Sequence, residues 1–106
     1  MIKLKVKDDF SFSPGPRYRS EGEYSGEELR ELLLEPKFKE ALDKKLKLEI
    51  DLDGTAGYGT SFLEELFGGL VRAFSYDTVV NNITIVSTDE PYLIEDIQEY
   101  MKDAKE

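Results

Sequence analysis

The chain contains no cysteine and no histidine in 106 residues. Without cysteine there is neither a disulfide framework nor a thiolate nucleophile. Without histidine there is no imidazole base, so a Ser-His-Asp triad and a Cys/His zinc site are both excluded. Positive charge is scarce too: 14 Lys and Arg stand against 23 Asp and Glu, a net charge of −9. That balance repels nucleic-acid phosphates and anionic lipid surfaces, so neither nucleic acid nor membrane is an expected partner. No apolar run approaches the length of a membrane span. Met1 to Lys5 alternates lysine with apolar residues, unlike the hydrophobic region of a signal peptide. A cytoplasmic location is the expectation.

Hydrophobic residues make up 40% of the chain, enough for one core, and the length suits a single domain over 1–106. Ile2, Leu4 and Val6 alternate with Lys3, Lys5 and Lys7, the period of a half-buried strand. Residues 8–24 lack periodicity and hold Pro14-Gly15-Pro16, which reads as a loop with room for one short strand. Ser25-Gly26-Glu27-Glu28 spells a capping box. The helix it opens turns Leu29, Leu32 and Leu33 inward, and Pro36 predicts a break or kink near Glu35. Phe38, Ala41 and Leu42 then suggest a second short helical piece.

From Leu46 to Asp53 apolar and charged residues alternate strictly, and Asn82 to Ile85 repeats the pattern. Strands buried on both faces would be continuously apolar, so the helices are expected mainly on one face of the sheet. The lysines of the first strand are expected to pair with Glu49, Asp51 and Asp53 if the strands are neighbours. Phe62, Leu63, Leu66, Phe67, Leu70, Val71 and Phe74 form one helical stripe, with Thr60 or Ser61 as the natural N-cap. A last helix begins near Pro91, capped by Thr88 or Asp89. The alternation of elements predicts an α/β domain with a mostly parallel sheet of about four strands.

Three places could carry chemistry. Ile50-Asp51-Leu52-Asp53-Gly54-Thr55 spells the first motif of haloacid dehalogenase-type phosphatases, with Asp51 as nucleophile and Asp53 as acid/base beside Mg²⁺. Only 51 residues follow Thr55 and they hold no further acidic motif of that kind, so a polar sheet face accounts for both aspartates. An EF-hand fails for want of later oxygen ligands. The turn around Gly57 and Gly59 could bring backbone N–H groups to an anion, with Arg17 and Arg19 folding over it as a clamp. Tight turn chemistry explains the same glycines without a ligand. On a helical wheel Ser61, Glu65, Gly68 and Arg72 line the face opposite the apolar stripe. A mid-helix glycine pointing away from the core suggests a docking partner, although tolerated destabilisation explains it equally.

Pro14 to Arg19, Ser25 to Glu28, and the run from Gly57 to Arg72 together resemble the bacterial STAS-like domain family of unknown function. STAS abbreviates sulphate transporter and anti-sigma-factor antagonist. The resemblance covers most of the chain, and Ser61-Phe62, Glu65, Phe67 and Gly68 belong to its most specific stretch. It implies a single STAS-like domain acting as a regulatory module, not an enzyme, beside a histidine-kinase-type ATPase partner. In anti-sigma-factor antagonists an Asp-Ser-Ser-Gly turn carries a phosphorylated Ser at the start of the docking helix. Thr60 and Ser61 match the two serines by position, while Gly59 replaces the Asp and Phe62 the Gly. The expected contact face is therefore Thr60, Ser61, Glu65, Gly68 and Arg72, with Ser61 or Thr60 as the phosphosite and no cofactor or metal.

Overall fold

A computed structural model of the protein describes residues 1–105. Three parallel strands, β1 (Ile2–Lys5), β2 (Leu48–Asp51) and β3 (Ile83–Val86), lie side by side in chain order. Ile2 stands opposite Leu48, and Leu48 opposite Ile83; Leu4, Ile50 and Ile85 form the next row. These rows make one apolar face, and its central members Leu4, Leu48 and Ile50 are fully buried. The other face carries Lys3, Glu49 and Thr84, then Lys5, Asp51 and Val86. Its lysines and Thr84 are exposed, as the alternation predicts for a sheet covered on one side. Lys3 and Lys5 do neighbour Glu49 and Asp51, but among the described residues no ion pair joins them. The cross-strand salt bridges do not form: Lys5 pairs with Asp8, and Asp51 accepts the Asp53 N–H.

The count of about four strands is corrected to three. No strand forms among residues 8–24, which hold a helical turn α1 (Val6–Asp9) running in from β1 and a 3₁₀ turn (Arg19–Glu21). Pro14 and Pro16 bring no N–H to a ladder. The Gly15 N–H bonds the Tyr24 carbonyl, which closes the segment on itself.

Two long helices pack on the apolar face. The first, α2 (26–44), starts from Ser25, whose hydroxyl accepts the Glu28 N–H at 3.0 Å. It does not break at Pro36. A π-helical turn (Arg30–Leu34) precedes the proline and the helix continues through Glu35–Lys44. Widening the turn absorbs the ladder bond that proline cannot make. It also moves the inward face, so Leu34 is buried with Leu29 while Leu32 is left exposed. The helix ends at Lys45, in the left-handed conformation.

The second, α3 (60–74), contains its own π turn (Glu64–Gly68). It lies between α2 and the last helix, α5 (Tyr92–Asp103). Phe62, Leu63, Leu66, Phe67, Leu70 and Val71 are all buried. A short helix α4 (Tyr76–Val80) follows α3 and leads into β3. The expected caps of α5 are otherwise engaged: the Thr88 hydroxyl donates to the Asp53 carboxylate, and the Asp89 carboxylate accepts the Gly54 N–H.

Candidate functional site

The two N-terminal motif segments and the distant run from Gly57 converge where the N-terminal halves of α2 and α3 meet. Gly26 is buried, and a Cβ there would stand 2.7 Å from the Phe62 carbonyl oxygen, so only glycine lets the helices approach this closely. The Pro16 and Arg17 carbonyls accept the Gly26 and Glu27 N–H groups, which lays the proline-rich segment over the start of α2. From there the Arg17 side chain reaches α3 and bonds Glu64 at 2.5 Å.

The polar side of α3 is a closed ion-pair network. Glu64 is shared between Arg17 and Arg72, the latter at 2.9 Å. Both guanidiniums hold the Glu64 carboxyl below the usual carboxylate range, Arg72 by the larger contribution. Glu65 is only 5% exposed and binds Arg30 at 2.7 Å; Arg30 in turn binds Glu35 at 2.5 Å. Burial would push the Arg30 charge out, but the two carboxylates outweigh it and the net shift of its pKa is upward.

The expected contact face is thereby redrawn. Glu65 and Gly68 do not lie on an open surface: Glu65 is bound to Arg30 of α2, and Gly68 is covered by side chains of its own helix. Gly68 sits beneath the Glu64–Arg72 pair, and Gly69 beneath Arg30, whose Nε would be 2.5 Å from an added Cβ. The glycine pair makes room for the chain's own arginines. Arg72 is exposed but paired, and Thr60 and Ser61 are exposed. Neither of those two caps α3: the N-cap residue is Gly59, and no side chain takes that role. The arginine clamp is corrected as well. Arg17 is spent on Glu64 and Arg19 on Glu31, so neither folds over the Gly57–Ser61 turn.

That turn is firmly held from below. Gly57 has φ 126, a conformation side chains rarely adopt. The Tyr58 hydroxyl donates to the Leu52 carbonyl at 2.8 Å, and burial pushes its pKa up to about 12. Asp51 accepts the Asp53 N–H, and Asp89 accepts the Gly54 N–H. Both motif aspartates therefore tie the end of β2 to its loops, and the Asp89 N–H holds the Asp53 carboxyl below its ordinary range. Among the described residues no group of three acidic, His or Cys side chains is arranged to hold a metal ion.

Gly59 differs from the other turn glycines. Its φ is −78, open to any residue, and nothing stands within 4 Å of an added Cβ. The fold makes no demand for glycine there. Burial of Glu65 was hidden from sequence reasoning because its partner Arg30 lies 35 positions away and belongs to another helix. The one available signal was Gly68-Gly69, which marks bulky groups crossing the helix.

Residues 25–93 match the family described as a STAS-like domain of unknown function. No curated protein and no solved structure matches the chain.

Proposed function

This chain belongs to the STAS-like domain family of unknown function, and from that membership we propose that it is a regulatory protein-interaction module. The docking surface is the Gly57–Ser61 turn with the exposed start of α3, and Arg72 stands further along the same helix. The partner is a protein of the histidine-kinase-type ATPase class, the class that the likeness to anti-sigma-factor antagonists suggests. Glu65 acts behind this surface, holding α2 against α3 through Arg30, and Gly68 makes room for the Glu64–Arg72 pair.

Gly59 carries the reading. A residue that the fold leaves free to be anything is glycine, beside two exposed hydroxyls at the start of a helix. Close approach of a partner backbone accounts for it. A phosphoryl group on Ser61 would sit at the helix N-terminus, where negative charge is favoured, and would change the surface a partner meets.

Calorimetric titration of a purified histidine-kinase-type ATPase domain with this chain tests the docking. Gly59→Leu should keep its melting temperature and lose affinity by about tenfold or more, as a side chain at the centre of an interface does. Equal binding by wild type and variant would overturn the reading. Intact-mass measurement after incubation with the ATPase and ATP tests the modification. A phosphoryl group mapped to Ser61 or Thr60 supports the switch, and an unmodified chain removes it.

A further inference from the structure

The two edges of the sheet are treated differently. The β1 edge carries Lys3 and Lys5, the charged residues that keep an edge from pairing with another chain. The β3 edge reads Ile83-Thr84-Ile85-Val86, with no charge, no proline and no bulge, and among the described residues no strand lies beyond it. The carbonyls of Asn82 and Val86 accept from Leu48 of β2 and from Leu52 just past its end. Backbone groups alternate along a strand, so the N–H and C=O of Ile83 and Ile85 point outward.

Beside this edge the apolar layer is incomplete. A groove runs between α4, β3 and α5, with Tyr76, Val80, Ile83, Ile85 and Ile94 on its floor. Tyr76, Val80, Ile85 and Ile94 are only half-buried, so the floor is wet where a further strand would cover it. On the α5 side the rim carries Glu95 and Glu99, with Lys102 at its far end, in a chain of net charge −9.

We propose that β3 accepts a strand from a partner protein, an extended segment in which apolar residues alternate with lysine or arginine. Its apolar side chains fill the groove over Ile85 and Ile94, and its basic ones meet Glu95 and Glu99. A second copy of this chain fits poorly, because two molecules each of net charge −9 would meet. This surface is separate from the Gly57–Ser61 turn and does not rest on it.

The probe is a nine-residue peptide alternating lysine with isoleucine and valine, titrated into the ¹⁵N-labelled chain. Binding should shift the Ile83–Val86 resonances and slow hydrogen exchange at the Ile83 and Ile85 amides. N-methylating the peptide on alternate residues keeps its side chains and removes main-chain pairing; affinity should fall by about tenfold or more, as several edge hydrogen bonds are lost. The exposed pair Glu95→Lys and Glu99→Lys should weaken binding several-fold and leave the melting temperature unchanged. Absence of binding, shifts confined to other surfaces, or equal affinity for the N-methylated peptide would each overturn the proposal. Edge-to-edge dimerisation of the free chain at the same concentration would also overturn it, in favour of self-pairing.

Discussion

Arg30 and Glu65 join the two long helices through a guanidinium–carboxylate bond of 2.7 Å, directly above the Cα of Gly69. Glu65 is buried, and Arg30 leaves its Nε without a hydrogen-bond partner in order to reach both Glu65 and Glu35. The pair gives α2 and α3 one relative position, because any slide separates charges already removed from water.

Removing half of this pair should cost more than removing all of it. Glu65→Ala leaves a buried guanidinium short of one carboxylate, for a loss of about 3 kcal/mol by urea unfolding. The double replacement Arg30→Met with Glu65→Leu fills the same space without charge and should recover most of that loss. Additive losses would show that the pair is not coupled.

The neighbouring glycines should behave oppositely. A methyl at Gly68 meets only the movable ends of Glu64 and Arg72, so Gly68→Ala should be neutral or gain up to about 1 kcal/mol of helix propensity. A methyl at Gly69 meets Arg30 at Nε and Cδ, which its two carboxylates hold in place. Gly69→Ala should lose about 1–2 kcal/mol. In an Arg30→Ala background the same substitution should become stabilising, and thermal unfolding of the four variants reads the reversal.

Acid should loosen the seam through Glu64. Its carboxyl titrates lower in the folded chain than the ordinary value of 4.5. A depressed folded pKa contributes stability that is complete above the unfolded value and lost as pH falls through the folded one. Melting temperatures of wild type and Glu64→Gln should therefore differ at pH 7 and converge as pH drops below that ordinary value. A constant difference across that window would assign the effect to packing.

Base should act at the turn. Tyr58 holds its proton to about pH 12 in the folded chain, against an ordinary 10.0, because burial disfavours the phenolate. The stability this contributes is complete below the ordinary value and is lost as pH rises toward the raised one. In a spectrophotometric titration of the chain's six tyrosines, a late component should disappear in Tyr58→Phe. The hydrogen bond lost with that hydroxyl should cost about 1 kcal/mol.

Much of this architecture was legible in the order of residues. Ile2, Leu4, Leu48 and Ile50 announce half-buried strands by alternation, and Ser25 announces the start of α2 through its capping bond. The apolar stripe from Phe62 to Val71 is buried as its spacing requires. The site was less legible, for two physical reasons. A helical wheel assumes a constant turn, and both long helices contain a π turn that adds a residue to it. Charge on a helix normally means solvent, yet Glu65 is charged and interior because arginines from two distant segments surround it. Gly59 was readable only as turn chemistry until its negative φ distinguished it from Gly57, whose surroundings are equally empty.

The parallel order of β1, β2 and β3 has a consequence for how the chain reaches this state. Among the described residues there is no β-hairpin, so no two strands can pair while they are neighbours along the chain. Each pairing closes a loop that contains a whole long helix, and the entropy of that closure falls due before the sheet returns anything. For a chain of this length, the search should be slow.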